Sequence, residues 1–250
     1  MIITDLDNTL VRSDKTISAY SVKILEACRA KGIKIAFATA RSLKGAAKYL
    51  AAFAPDIFIG YGGALAYSGS EMLLRSGIPA DISAALIDDL LREPAVSAVR
   101  ASSESAAFTN TEPAADGQSS HFKCVDFSKH RDVSYLKLSV VAENPQVVES
   151  IAARYPMLDL LRYSGEDLYR FANRDAVKWS AVKLVAECLQ LDTAKFIAFG
   201  DDVNDIEMLA NCGTGVAVAN AIDAAKAAAD HVCAGNDDDG VARWLAENII

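Results

Sequence analysis

The sequence predicts an α/β protein with a doubly wound parallel sheet of the Rossmann-like kind, into which a smaller α+β domain is inserted. Short apolar segments alternate with helical segments at both ends of the chain, and the middle of the chain lacks this pattern. Polar residues also follow several of the apolar segments directly. Strands that alternate with helices require parallel pairing and right-handed crossovers, which is the basis of this prediction.

Composition limits the possible classes of protein. The chain has 250 residues, of which 52% are apolar and 23% charged, so a large core is possible and disorder is not expected. It has 25 Lys and Arg residues against 33 Asp and Glu residues, a net charge of −8, without a basic cluster. We therefore expect neither nucleic acid nor a membrane as a partner. Five scattered cysteines without a C-x-x-C pair indicate reduced thiols and a cytoplasmic location.

The first third of the chain reads as alternating strands and helices. Ser18 and Ser42 are predicted helix N-caps, while Gly32 and Pro55 mark the ends of the two helices. The predicted elements are a strand at 1–4, a helix at 18–28, a strand at 33–38, a helix at 42–53, and a strand at 56–59 before a glycine-rich segment at 60–63.

The pattern changes near residue 79 and resumes near residue 173. The predicted elements of the middle block are a helix at 81–92, loops or weak strands at 101–120, a strand at 135–141, a helix at 145–155, and strands at 158–163 and 168–172. The last part contains predicted helices at 177–188, 223–229 and 241–248, and strands at 194–199, 215–219 and 231–233. We therefore expect a core of residues 1–78 and 173–250 and an inserted α/β domain of residues 79–172.

Two carboxylates stand where the first strand ends. Asp5 and Asp7 are two residues apart, and Asn8 tolerates the left-handed backbone that a tight turn needs. Neighbouring carboxylates repel each other unless a cation or a proton lies between them, which makes the pair a candidate metal or acid/base site. For an isolated pair, a solvated acidic turn is the alternative.

Polar residues follow two further predicted strands. Thr39 comes after the second strand, and Asp201 and Asp202 come after the strand at 194–199. Since the carboxyl ends of parallel strands meet at one sheet edge, these groups should converge with Asp5 and Asp7. Hard oxygen ligands of this kind suit Mg²⁺. Zinc is not expected, because the three histidines, His121, His130 and His231, lack ligand spacing.

Four segments in this order resemble the motifs of the haloacid dehalogenase (HAD) superfamily. They are residues 5–10 (DLDNTL), Thr39, Lys178 and residues 200–205 (GDDVND). The long insertion between Thr39 and Lys178, with the sequence ATAR at 38–41, resembles the Cof-like phosphatases, which have a large α/β cap. The stretch VANA at 218–221 is also similar to that subfamily.

The resemblance implies roles for individual side chains. Asp5 would be the nucleophile that forms an aspartyl-phosphate, and Asp7 would protonate the leaving oxygen and later activate water. Thr39 would hydrogen-bond the phosphoryl group, and Lys178 would neutralise charge between nucleophile and phosphate.

The resemblance also implies Mg²⁺ as the cofactor. The implied metal residues are Asp5, Asp7 through its main-chain carbonyl, Asp201 and Asp205. Asp205 would hold the waters of the metal, with Asp202 as a further candidate for that role. The implied substrate-binding residues are Thr39, Ala40, Arg41, Lys178 and Asn204. For Arg41, a salt bridge at a helix start is an equal alternative. Arg170, Asn173 and Arg174 are expected at the surface, with contact to the substrate as the alternative.

The resulting hypothesis is a Mg²⁺-dependent phosphohydrolase that acts on a small phosphorylated metabolite such as a sugar phosphate, as a monomer or homodimer. A phosphosugar mutase of the phosphomannomutase type uses the same nucleophile and is the first alternative. A non-catalytic protein that binds a phosphorylated ligand is another. A phospho-accepting receiver domain groups similar residues, but it is much shorter and lacks an inserted domain.

Overall fold

The computed structural model describes residues 1–112, 122–162 and 167–250. The elements of the first part are β1 (Ile2–Thr4), α1 (Ala19–Ala30), β2 (Ile35–Ala38), α2 (Leu43–Ala52), β3 (Ile57–Gly60), β4 (Leu65–Ser68) and β5 (Glu71–Arg75). Those of the middle part are α3 (Ala80–Leu91), β6 (Val96–Ser102), β7 (Ala107–Thr109), β8 (Phe122–Cys124), β9 (Lys137–Ala142), α4 (Pro145–Ala152), β10 (Leu158–Arg162) and β11 (Leu168–Asn173). Those of the last part are α5 (Lys178–Cys188), β12 (Ile197–Gly200), α6 (Ile206–Asn211), β13 (Thr214–Val218), α7 (Asp223–Ala228), β14 (His231–Cys233) and α8 (Gly240–Asn248).

The chain divides into two units. The first consists of Met1–Arg75 and Val177–Ile250, and the second of Ser76–Ala176. The sheet of the first unit has the strand order β14-β13-β12-β1-β2-β3-β4-β5. Its strands from β14 to β3 are parallel, and β4 and β5 extend it as an antiparallel hairpin. The predicted doubly wound α/β fold is confirmed.

The central strand shows why this segment begins the core. Ile2 and Ile3 are both fully buried, because helices cover both faces of a parallel sheet and neither face is left for polar residues. Ile3 lies between Ala36 of β2 and Ala198 of β12 in the register of the sheet. The chain leaves β1 towards β2 and later returns to its other side at β12, so the strand order reverses between β1 and β12. Ligands of doubly wound sheets bind at such a reversal point.

The second unit has a six-stranded sheet of its own, in the order β10-β11-β9-β6-β7-β8. All its strand pairs are antiparallel except β7 with β8. Helices α3 and α4 pack on one face of this sheet, and the side chains of that face form a separate hydrophobic core. On β9 the buried Leu138, Val140 and Ala142 point to this core, so the alternate residues of the strand lie on the opposite face.

Several local predictions are confirmed by hydrogen bonds. The hydroxyl of Ser18 accepts from the backbone N–H of Ser21, and that of Ser42 accepts from Gly45, so both serines cap helices as predicted. Asn8 has a φ of 58°, in the left-handed region expected for it. All five cysteines are free.

Other local predictions are wrong or incomplete. Strands β4, β5, β6 and β8 and helix α6 were not predicted, and the loop-like stretch at 101–120 begins with the end of β6 and includes β7. Residues 193–195 form a 3₁₀ turn, so β12 begins later than expected. Tyr163 of a predicted strand, part of the 101–120 stretch and His121 lie outside the described residues. In the described ranges, no helix is long and apolar enough to cross a membrane.

Candidate active site

The acidic residues of the first unit gather at the carboxyl ends of β1 and β12. The backbone N–H of Asp5 donates to the carbonyl of Phe199 over 3.0 Å and extends the parallel pairing past the end of β1. This hydrogen bond places Asp5 beside the turn that begins at Gly200. The convergence expected from the sequence follows from the pairing of β1 with β12, in which Ile2 lies opposite Ile197.

A single buried lysine joins two of the carboxylates. Lys178 Nζ lies 2.6 Å from Asp5 Oδ1 and 2.7 Å from Asp205 Oδ1. The side chain of Lys178 is only 3% exposed, and those of Asp5 and Asp205 are 8% and 1% exposed. Because a buried charge is costly without a partner, this lysine is held by the acidic cluster and is not a solvated helix residue.

Asp205 is fixed by its own backbone turn. A 3₁₀ turn (Val203–Asp205) follows β12, and the second oxygen of Asp205, Oδ2, accepts from the N–H groups of Asp201 and Asp202. A Cβ at Gly200 would lie 2.4 Å from the Cβ of Asp205, so only glycine leaves room for this packing. The same turn directs Asp202 outward, where its exposed side chain caps Val203.

Asp201 is the third member of the cluster. Its Oδ1 accepts a 2.6 Å hydrogen bond from the hydroxyl of Thr9, a buried residue of the turn after β1. Asp5, Asp201 and Asp205 each offer a carboxylate oxygen, and these oxygens lie within 4.8 Å of one another. A set of hard oxygen donors at this spacing fits a divalent cation such as Mg²⁺.

The electrostatics of the cluster also fit a cation. Burial, with help from Asp205 and Asp201, raises the pKa of Asp5 to about 8 against the attraction of Lys178. Burial likewise raises the pKa of Asp201 to about 6, against the hydrogen bond from Thr9. Burial alone would lower the pKa of Lys178, but Asp205 and Asp5 raise it. A divalent cation would supply the positive charge that protons on these carboxyls otherwise supply.

The carboxylate of Asp7 pairs with Arg41 and not with Lys178. The Nε and Nη2 atoms of Arg41 donate to the two carboxylate oxygens of Asp7 over 2.7 and 2.6 Å. Of the two alternatives for Arg41, this geometry matches the salt bridge. The buried hydroxyl of Thr39 accepts from the backbone N–H of Arg41 over 3.1 Å, so β2 delivers both residues to the same corner.

One pocket brings most of the predicted site residues together. Its lining consists of Asp5, Asp7, Asn8, Ala40, Lys178, Asp201, Asp202, Asn204 and Asp205. Thr39 and Arg41 do not line this pocket. Both are chain neighbours of the lining residue Ala40, and Arg41 is also hydrogen-bonded to the lining residue Asp7.

Four residues that shape the site were not predicted as functional from the sequence. Thr9 positions Asp201, and Gly200 makes room for Asp205. Asn220 donates from Nδ2 to the main-chain oxygen of Asn8 over 2.7 Å, which holds the turn after the acid pair. A Cβ at Gly63 would lie 2.3 Å from the carbonyl oxygen of Val177, directly before Lys178. Gly63 belongs to the glycine-rich segment at 60–63. Its φ of 112° is a conformation that favours glycine, which is the physical reason for glycine at this position.

Curated relatives cover nearly the whole chain. A Haemophilus influenzae protein described as a candidate phosphatase is 28% identical over 262 residues, which span 98% of this chain and 97% of the relative. A phosphoglycolate phosphatase of Methanopyrus kandleri is 26% identical over 254 residues, which span 98% of this chain and 95% of the relative.

Solved structures share the fold. A structure from Eubacterium rectale superposes with a TM-score of 0.90 at 24% identity and covers 98% of this chain and 97% of its own. A sugar phosphatase of HAD subclass IIB superposes with a TM-score of 0.82 at 21% identity, with 98% and 97% covered. The sequence model of the haloacid dehalogenase-like hydrolase family matches residues 2–245 of this chain. With this match over almost its full length, the chain belongs to the haloacid dehalogenase-like hydrolase family.

Proposed function

We propose that this protein is a Mg²⁺-dependent phosphohydrolase that removes phosphate from a small phosphorylated metabolite through an aspartyl-phosphate on Asp5. The observation that carries the proposal is the buried Lys178 ammonium group between Asp5 and Asp205. A lysine held 2.6 Å from one carboxylate oxygen leaves that carboxylate oriented and partly neutralised, and it can also attract the phosphoryl oxygens of a substrate.

Names of relatives support the substrate class. The relatives described as phosphatases span the whole length of this chain, and a structural neighbour is described as a sugar phosphatase. A sugar phosphate is therefore the first substrate class to test. The inserted unit is the proposed source of substrate preference, because the residues assigned to the chemistry all belong to the first unit.

The first proposed step forms the covalent intermediate. A carboxylate oxygen of Asp5 attacks phosphorus, and the bond between phosphorus and the ester oxygen breaks. The departing oxygen takes a proton from the carboxyl group of Asp7, which acts as general acid. Lys178 stays beside the Asp5 carboxylate. The hydroxyl of Thr39, whose oxygen accepts from the N–H of Arg41, donates its proton to the phosphoryl group.

The second proposed step releases phosphate. Water attacks phosphorus and transfers a proton to the Asp7 carboxylate, and the bond between phosphorus and the Asp5 oxygen breaks. Both residues then return to their starting states, so the cycle consumes one water and needs no further reactant. Arg41 holds Asp7 by two hydrogen bonds and so fixes where its carboxylate lies before substrate arrives.

The residues proposed to hold Mg²⁺ are Asp5, Asp201 and, through its main-chain carbonyl, Asp7. Asp205 already accepts from Lys178 and from two backbone N–H groups, so we assign it to the ordered waters of the metal and to the orientation of Lys178. When bound, Mg²⁺ supplies positive charge against the combined charge of the carboxylates and the phosphate.

The test compares the wild-type protein with Asp5→Asn in Mg²⁺, using p-nitrophenyl phosphate and a panel of sugar phosphates. Wild type should release phosphate over many turnovers without a bisphosphate activator, which a mutase would require. Asp5→Asn keeps the size of the side chain but removes the attacking charge, so turnover should fall by at least ~10³-fold. The exposed Asp14→Asn is the matched control and should be fully active. Near-normal turnover by a folded Asp5→Asn protein would refute the mechanism.

A further inference from the structure

Three positively charged side chains share one face of the sheet in the second unit. Arg100 of β6 and Arg170 of β11 both lie directly opposite Ser139 of β9, one on each side. Lys137 is two residues from Ser139 on the same strand and therefore on the same face. The neighbours of these residues along each strand, such as Leu138 and Phe171, point into the hydrophobic core on the other face.

These cations have too few anionic partners. Asp159 accepts from Nη2 of Arg170 over 3.1 Å and forms a salt bridge with it. Within residues 1–112, 122–162 and 167–250, no salt bridge joins Lys137 or Arg100 to a carboxylate. Arg100 instead stacks over the ring of Phe122 at 5.4 Å. One acid faces three cations, so this face carries excess positive charge.

Arg170 adds a specific unsatisfied donor. Its side chain is only 7% exposed, contrary to the surface position expected from the sequence, and its Nε lacks a hydrogen-bond partner in the described structure. Buried donors are nearly always paired, so an unpaired guanidinium nitrogen indicates a missing acceptor. Burial, together with the nearby Arg170, lowers the pKa of Lys137 to about 8, and an anion beside these two cations would offset that effect.

The size of Ser139 leaves space between the two arginines. Directly opposite residues on neighbouring strands are about 5 Å apart, so the two flanking backbones are about 10 Å apart with only a small hydroxyl between them. The guanidinium of Arg100 is directed to Phe122 on β8, and Nη2 of Arg170 is directed to Asp159 on β10. An oxyanion seated above Ser139 could therefore accept from the unpaired Nε of Arg170, from the ammonium group of Lys137 and from the serine hydroxyl. Planar guanidinium groups are suited to carboxylate and phosphate oxygens.

We propose that Lys137, Ser139 and Arg170 form a binding site for an anionic group, a carboxylate or a phosphate, of a small metabolite. These residues all belong to the second unit, and none of them lines the acidic pocket of the first. The anionic group is either a second charged group of the substrate or part of a separate ligand, and the experiment below has one arm for each source.

The test uses full-length protein in three variants. Lys137→Met removes the charge but keeps the length of the side chain, Lys137→Arg restores the charge, and Lys123→Met is the control. Lys123 is an exposed residue of β8 on the alternate side of that strand from Phe122. Circular dichroism spectra that match wild type establish that each variant is folded.

The kinetic arm depends on the phosphatase activity proposed above and compares substrate pairs that differ by one anionic group. The pairs are glucose 6-phosphate with 6-phosphogluconate, and fructose 6-phosphate with fructose 1,6-bisphosphate. Lys137→Met should raise KM for the doubly anionic member by about tenfold or more and leave the other within about twofold. Lys137→Arg and Lys123→Met should resemble wild type.

The binding arm does not depend on activity. Calorimetric titration of inorganic phosphate and of 6-phosphogluconate in EDTA should show a saturable site in wild type and Lys123→Met that is about tenfold weaker in Lys137→Met. A loss in this arm alone assigns the site to a separate ligand. Lys137→Met and Lys123→Met behaving alike in both arms would overturn the proposal. If wild type hydrolyses none of the substrates, the proposed function fails, while the binding arm still decides the anion site.

Discussion

Arg41 holds the Asp7 carboxylate in a bidentate hydrogen-bonded pair, with Nε to Oδ2 at 2.7 Å and Nη2 to Oδ1 at 2.6 Å. The hydrogen bonds to Asp7 raise the pKa of Arg41, so the guanidinium stays charged throughout the working pH range. Arg41 is itself held: its remaining amino group donates to the carbonyl of Gly45, and its guanidinium lies 5.1 Å from the centre of the Tyr49 ring. The proposed acid/base residue is therefore positioned by an anchored partner.

This pair predicts a dependence on the leaving group. Arg41→Ala should slow the hydrolysis of alkyl phosphates by about tenfold or more, because a misplaced Asp7 cannot protonate a poor leaving oxygen. p-Nitrophenolate leaves without a proton, so its release should persist as a burst before a slower steady state limited by the second step. Rapid-mixing measurement of p-nitrophenol detects the burst. Lys44→Ala, at the start of α2, is the control. Equal small effects of Arg41→Ala and Lys44→Ala would contradict the prediction.

The sequence predicts the sheet edge that carries the candidate active site better than it predicts the rest of the structure. The positions of Asp5, Thr39 and Asp201 follow from the order of strands and helices, because parallel strands bring their carboxyl ends together. The distinction between Asp202 and Asp205 does not follow from spacing. It depends on the 3₁₀ turn, which directs one carboxylate outward and buries the other.

The missed strands have a different cause. β4 is four residues long, and β6 has the sequence VSAVRAS, rich in Ala and Ser, whose own preference for strands is weak. Pairing decides their conformation: β4 forms a hairpin with β3, whereas β6 pairs with β9, which lies far along the chain. The burial of Arg170 is likewise set by the sheet in which it lies, so its local sequence favoured the surface.

Lys178 should be essential in a way that its neighbour Lys183 is not. Both lysines lie on α5, but Lys178 is buried between two carboxylates, whereas Lys183 is exposed and lies near the ring of Trp179. Lys178→Met should therefore reduce turnover by ~10²-fold or more, since the charge between nucleophile and phosphate is lost. Lys183→Met should change turnover little. Steady-state kinetics on the same substrate gives both values, and similar small losses would place Lys178 outside the reaction.

Metal removal should abolish turnover, and Mg²⁺ should restore it. The binding can also be measured without activity, because a ligand held by the folded state raises its stability, by about 2.7 kcal/mol at a hundred times Kd. The thermal midpoint of wild type should rise with Mg²⁺, and Asp201→Asn should greatly reduce that rise. Asp202→Asn is the matched control, since Asp202 is exposed and asparagine also caps a helical turn. Turnover that persists in EDTA would refute the metal assignment.

Gly63 should be required for the position of Lys178. The segment that contains it has three consecutive residues with positive φ: Tyr61 at 53°, Gly62 at 72° and Gly63 at 112°. A side chain at Gly63 would lie 2.3 Å from the Val177 oxygen and 2.9 Å from the Lys178 nitrogen, both backbone atoms that cannot rotate away. The start of α5 would have to move, and with it the lysine that contacts Asp5 and Asp205.

Gly63→Ala should therefore lower both the thermal midpoint and turnover, with the loss of turnover exceeding tenfold, a value of the order expected when a catalytic group is misplaced by about 1 Å. Gly69→Ala separates this effect from backbone strain alone. Gly69 also has a positive φ, 56°, but no atom lies within 4 Å of a Cβ built there. Its substitution should cost about 1–2 kcal/mol of stability from the left-handed conformation and leave turnover per folded molecule unchanged. Equal effects of the two substitutions on turnover would show that the contact between Gly63 and Val177 does not position Lys178.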